Sequence, residues 1–233
     1  MTLGIMQPYI FPYIGYFQLM NAVDEFVIYD NIQFSKKGWI NRNRILINGK
    51  DFYITFPLKK DSDFLDVKDR YLADNWEKER KKMLNKIAES YKKAAHFNIA
   101  YPIIEKCILS EEKKLFNCIL NSLNIINEYI DIVTPLIVSS TVPLNHELKG
   151  GQKVLEICKA RNADVYYNSM GGVGLYNKES FQKEGITLNF LKTNVTPYLQ
   201  FTNEFVPALS IVDIMMFNTK EQIQQMLHQF TLE

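Results

Sequence analysis

The stretch LGIMQPYIFPYIGYFQLMNAVDEFVIYD, residues 3–30, decides the fold. Residues 3–6 form a short apolar run that Gln7-Pro8 ends. Tyr13, Phe17, Met20 and Val23 then recur at three- and four-residue spacings, the period of an amphipathic helix. Asp24 and Glu25 break that pattern, and residues 26–29 are apolar enough for a strand covered on both faces. Two parallel strands joined by a helix make a βαβ unit, whose ligands sit beyond the strands' carboxyl ends. Those ends carry Gln7 and Asp30.

Working outward, residues 44–47 and 52–56 flank Asn48-Gly49, a hairpin signal because both turn residues tolerate positive φ. Residues 75–93, 100–110 and 111–132 read as consecutive helices, with Tyr101-Pro102 placed at a helix start. Strands at 136–139, 165–167 and 186–191 then alternate with helices at 152–161 and 178–184, and helices at 210–217 and 219–230 close the chain. The expectation is an α/β protein with a Rossmann-like, mostly parallel sheet. It is read as a single domain over residues 1–233 with a mainly helical insertion at about 75–132.

Composition narrows the function classes. With 233 residues, 47% hydrophobic and 23% charged, the chain is neither disordered nor fibrous. Lysine and arginine number 27 against 26 acidic residues, which argues against a general nucleic-acid binder. Cys107, Cys118 and Cys158 are too few and too scattered for a disulfide framework or a zinc cage, so they read as buried thiols. His96, His146 and His228 share no metal-ligand spacing, and no metal site is expected. Residues 1–16 lack a basic n-region, and Pro8 and Pro12 interrupt their apolar run. No stretch reaches the ~18–20 uninterrupted apolar residues a membrane helix needs, and the candidate closest to that length, 119–138, contains Asn121, Asn124, Asn127, Glu128 and Asp131. A cytoplasmic chain with no membrane insertion is expected.

Several residues can carry chemistry. Arg42 and Arg44 alternate with Asn41 and Asn43, so on an extended chain the arginines share one face and the asparagines the other. Arginine forks grip phosphate or carboxylate, whereas an exposed polar strand needs no ligand. Asp30, with Gln33 three residues on, is placed to act as a base or hydroxyl ligand, or merely to cap a turn. The segment SMGGVGLY at 169–176 offers Ser169, Gly171 and Gly172 for close approach to an anion or sugar, but lacks both the Walker ending and GxGxxG. Lys149-Gly150-Gly151 precedes a predicted helix start. Ser139 and Ser140 are candidate donors at a strand end, though no GxSxG elbow supports a nucleophile. The helix at 75–93 carries seven cations against three glutamates, a field for a polyanion or simply a solvated face.

The blocks QPYIFPYIGYFQL, VDEFVIYDNIQF, GWINRNRI and LSIVD resemble the WbqC-like family along nearly the whole chain. The resemblance implies a cytoplasmic step in making or decorating a nucleotide-linked sugar for bacterial O-antigen or related surface polysaccharide. A weaker likeness links the strand followed by P-Y-I-G-Y to nucleotidylyltransferase and HUP-type domains, with Tyr13 and Tyr16 where two histidines would stand. The leading expectation is a transferase that moves an acyl or aminoacyl group to the amine of a nucleotide-linked amino sugar. Asp30 would accept the amine proton, Tyr16 and Gln7 would line the pocket, Arg42 and Arg44 would bind diphosphate, and Asn41, Asn43 and Gln33 would orient the sugar. No tightly bound cofactor is expected, only a nucleotide or activated acyl donor. Other pathway enzymes are possible partners, and tRNA enters only through the basic helix. A nucleotidyltransferase-like enzyme and a non-catalytic binding module are the alternatives.

Overall fold

The computed structural model describes residues 1–201 and 204–233. Strand β1 (Thr2–Met6) leads through helix α1 (Ile14–Asn21) to β2 (Glu25–Ile28), the unit read from the opening stretch. The chain then leaves the sheet as a hairpin, β3 (Arg42–Ile47) and β4 (Lys50–Thr55), and as helices α2 (Trp76–Tyr91), α3 (Phe97–Ile108) and α4 (Leu115–Ile130). It returns as β5 (Leu136–Val138), α5 (Gly150–Ala160) and β6 (Val165–Ser169). Helix α6 (Lys178–Gln182), β7 (Thr187–Thr193), α7 (Ile211–Phe217), α8 (Lys220–Met226) and β8 (Phe230–Leu232) complete it.

The sheet has the spatial order β5-β2-β1-β6-β7-β8, parallel throughout except for β8. Counting the parallel strands along the chain, this is 3-2-1-4-5, the doubly wound order. Its strand order reverses between β1 and β6, and the doubly wound rule expects a ligand between the segments after Met6 and after Ser169. Both faces are covered. Leu3, Ile5 and Val27 pack with Val154, Ile157 and Cys158 of α5 and Phe181 of α6. Phe26 and Ile28 face the other way, into the layer that α1, α7 and the inserted helices build. Gly4 is fixed by this packing, because a Cβ there would lie 2.9 Å from the Phe26 ring. Truncating fully buried Phe26 to Ala would cost about 3–5 kcal/mol and open both β2 and α1.

Local chemistry explains the boundaries. Asn48 and Gly49 both take positive φ, 51° and 75°, which closes the β3–β4 hairpin as a two-residue primed turn. Three expectations need correction. Pro102 lies inside α3 rather than at its start, since the helix opens five residues earlier at Phe97. Residues 111–114 are extended before α4, with Lys114 bridged to Tyr71. The last helix ends at Met226, and residues 230–232 instead pair with β7 as an antiparallel edge. The three cysteine thiols are free and buried, and burial pushes each up to about 12.

Candidate functional site at the carboxyl edge of the sheet

The carboxyl ends of β5, β2, β1 and β6 carry a polar cluster, and its keystone is Asp30. One carboxylate oxygen accepts the Ser139 hydroxyl at 2.8 Å and the Ser140 N–H at 2.9 Å, while the other accepts the Ser140 hydroxyl at 2.7 Å. Asp30 is 2% exposed. It therefore ties the end of β2 to the turn after β5, and its acceptor sites are filled by this chain's own donors. A base role for Asp30 would require breaking that clamp.

The clamp continues outward. The Ser139 hydroxyl also lies 2.6 Å from Asn31 Oδ1, so its single proton is shared between the Asp30 and Asn31 acceptors, and the Asn31 amide lies 2.9 Å from His146 Nδ1. His146 is exposed, so the ring edge not held by Asn31 faces solvent. Lys153, on the second turn of α5, reaches the Asn31 and His146 carbonyls at 3.4 and 3.3 Å and stands 5.1 Å over the Tyr29 ring. Burial lowers its ammonium below the usual lysine range, with Asp66 and Asp30 opposing that shift. Burial likewise pushes the Tyr29 phenol up to about 12, helped by Tyr176 and Asp66. Asp66 is half-buried and backbone-bridged to Gln33, whose amide donates to the Asp63 carbonyl at 3.0 Å.

On the other side of the crevice, β6 ends at Ser169 and runs into a 3-10 turn at Met170–Gly172. Buried Asn168 accepts the Ser169 N–H and donates to the Tyr166 hydroxyl. Gly172 is required there, because a Cβ would come within 2.7 Å of Asn168 Nδ2. Gly171 is exposed and open, so Ser169 and Gly171 are the accessible members of this loop. Gln7 is half-buried at the end of β1. Gln7, Ser169 and Gly171 thus border the switch point, with Asp66 and His146 further along the same edge.

The other candidates go elsewhere. Tyr16 is 1% exposed and packs edge-on against Tyr9, Phe17 and Phe26, with its hydroxyl buried and unpartnered. Burial raises its phenol far above the tyrosine range, and a side chain in that position meets no substrate. Arg42 and Arg44 do share a hairpin face, as the alternation predicts. Arg42 donates to the Gly38 and Lys37 carbonyls and lies over Tyr53. Arg44 binds Asp51 and the Ala208 carbonyl and lies over Trp39. Arg42 and the two terminal nitrogens of Arg44 are thus engaged within the chain, and Arg44 Nε is buried with no partner among the described residues. Asn41 donates to the Phe56 carbonyl. On α2, Arg80, Lys82 and Lys92 pair with Glu77, Glu79 and Glu89, and Lys86 covers Phe52, so much of its charge is balanced locally. Among the described residues, no three His, Cys, Asp or Glu side chains gather as metal ligands, and no helix is long and apolar enough to cross a membrane.

Residues 7–225 match the WbqC-like protein family. The chain belongs to that family. It is 29% identical over 219 residues to the uncharacterized protein Rv1507c of Mycobacterium tuberculosis, an alignment that covers 91% of each chain. No solved structure matches it.

In this WbqC-like chain three of the four blocks that carry the resemblance meet at one place, the loop after β1. Phe11 holds φ at 43°, a strained value for a non-glycine residue. Its carbonyl accepts from Asn43 Nδ2 at 2.7 Å and from the Ser210 hydroxyl at 2.7 Å. Asn43 also donates to Ile10, the Ile10 N–H reaches Ile40, and Ile211 donates to Pro12. Asp213 lies one turn on, accepting from Tyr91, Tyr198 and Gln200 at 2.6–2.7 Å. The QPYIFP, WINRN and LSIVD blocks thus form a knot that fixes the loop above the crevice. Asn43 is a positioning residue of that knot rather than a ligand contact. Lys153, His146 and Asp66 were missed in the sequence because each is a single polar residue in an ordinary setting; only the strand order brings them together.

Proposed function

We propose that this WbqC-like chain is an enzyme of bacterial surface-polysaccharide biosynthesis that binds a nucleotide-linked amino sugar at the carboxyl edge of its sheet and acylates the sugar amine. The observation that carries the reading is the 3-2-1-4-5 strand order, which puts the topological switch point, where doubly wound sheets take their ligands, between Gln7 and the Ser169–Gly172 turn. Membership of the WbqC-like family supports the reading, because surface-polysaccharide work is what the resemblance implies. In this reading the exposed His146 ring and Gln7 hold sugar hydroxyls, and the Asp30–Ser139–Ser140 clamp keeps the edge rigid. Half-buried Asp66 replaces sealed Asp30 as proton acceptor. The amine nitrogen attacks the acyl carbon of a thioester or ester, forming the amide as the acyl–sulfur or acyl–oxygen bond breaks. Asp66 takes the amine proton and returns it to the leaving group. Mass spectrometry of a sugar nucleotide incubated with acyl donors, charged tRNA among them, tests this. Amide product that falls at least tenfold with Asp66→Asn at unchanged stability is expected. Full activity of Asp66→Asn would remove the assignment.

A further inference from the structure

A cleft of about 260 Å3 opens beside the ends of the β3–β4 hairpin, away from the two arginines expected to bind phosphate. Lys36, Asn41, Lys59, Lys60, Asp61 and Arg70 line it, four cations against one carboxylate. Arg70 is the unusual member. It is 3% exposed, and its Nε and Nη2 are buried without a hydrogen-bond partner among the described residues. Its guanidinium lies 4.8 Å over the Phe34 ring, which offsets only part of the cost of burying a cation without an anion. The carboxylates nearby are engaged elsewhere: Asp63 pairs with Lys36, Asp74 with Lys59, and Asp69 with Lys68. The backbone does not demand arginine here either. The Arg70 N–H donates to Val67 and its carbonyl accepts from Leu115, bonds that any non-proline residue can make.

We propose that this cleft binds the phosphoryl groups of a phosphorylated small molecule, with Arg70 at its floor and Lys60 at its rim. A carboxylate would neutralise one charge of the four, whereas a phosphate or diphosphate matches several and suits a guanidinium. The volume is that of about nine waters, room for a diphosphate. The Lys36–Asp63 and Lys59–Asp74 pairs are solvent-exposed and weak, so both lysines can turn inward to an arriving anion.

The test is calorimetric titration of the full chain with inorganic pyrophosphate and with inorganic phosphate at fixed ionic strength. Saturable binding is expected. Tighter binding of pyrophosphate assigns the ligand as a diphosphate, and equal or tighter binding of phosphate assigns it as a monoester. Arg70→Met should weaken binding about 10- to 100-fold while the unliganded protein is as stable as before or more so. Lys60→Ala, an exposed change that keeps the fold, should weaken it about 2- to 5-fold. No saturable heat with either anion overturns the proposal, as does unchanged affinity in Arg70→Met. If Arg70→Met fails to fold, Lys60→Ala decides, and wild-type affinity there also overturns it. A nucleotide-linked sugar also carries a diphosphate, so it is the loss in Arg70→Met that places the anion in this cleft, and that loss is independent of the acyl-transfer reading at the sheet edge.

Discussion

Replacing Asp30 by Asn and by Ala separates a clamp from a base. The carboxylate accepts three bonds, from the Ser139 hydroxyl, the Ser140 N–H and the Ser140 hydroxyl, at 2.7–2.9 Å. In Asp30→Asn the amide oxygen can keep the two bonds of Oδ1. The new NH2 then faces the Ser140 hydroxyl, which rotates to accept. What is lost is charge assistance, offset in part by relief from burying a carboxylate, for a net cost of roughly 1–2 kcal/mol. In Asp30→Ala the Ser140 N–H and hydroxyl lose their acceptor and the Ser139 hydroxyl is left only Asn31 Oδ1, at a cost of about 3–5 kcal/mol. Urea unfolding followed by tryptophan fluorescence reads both as midpoint shifts at constant m. At about 2–4 °C per kcal/mol for a chain of this size, Asp30→Ala should also melt about 6–20 °C lower. Equal losses in the two variants, or a fully stable Asp30→Ala, would refute the clamp.

Other outcomes follow from the same geometry. Burial holds the Asp213 carboxyl above the usual carboxylate range despite its three donors, so the folded chain keeps a proton that the unfolded chain has released. Its stabilising share is complete below the unfolded value and fades as pH rises through the folded one. Asp213→Asn can keep Tyr198 and Gln200 on its amide oxygen and turn its NH2 to the Tyr91 hydroxyl, so it chiefly removes this pH dependence and its stability relative to wild type should rise from mild acid to neutral pH; chemical denaturation at the two pH values checks this, and the reverse trend contradicts it. Gly172→Ala must displace buried Asn168 and should cost roughly 1–3 kcal/mol, whereas Gly174→Ala meets open space and should leave the melting temperature unchanged. Pro102→Ala restores an amide donor inside α3 at an exposed position, and a rise of several degrees in thermal scans is expected.

The parallel core was legible because its signals are local. The run at residues 3–6, the helical spacing from Tyr13 to Val23 and the apolar run at 26–29 each fix one element without knowledge of the others. Asn48-Gly49 fixed the hairpin for the same reason. The edge strand at Phe230–Leu232 was not legible, since three residues have too little periodicity and depend on β7 for pairing. Pro102 misled because helix starts favour proline, while here α3 tolerates it on its exposed side. At the site, Asp30 and Gln7 follow from the βαβ rule. What residue type and spacing cannot give is which polar atoms are already used. Arg42, Arg44 and Asn43 look like ligand groups but serve carbonyls of their own chain. Arg70 sits unremarked between Asp69 and Tyr71 in the sequence, and only burial without a partner marks it out.

The central claim is that a nucleotide-linked amino sugar occupies the crevice between Gln7 and the Ser169–Gly172 turn. Calorimetric titration with nucleotide-linked amino sugars and their N-acylated counterparts, on wild type and His146→Ala, tests it most directly. The account predicts saturable binding of the free-amine sugar and at least tenfold weaker binding in His146→Ala at unchanged urea midpoint. Absence of binding by every sugar nucleotide, or equal affinity in the variant, would contradict it.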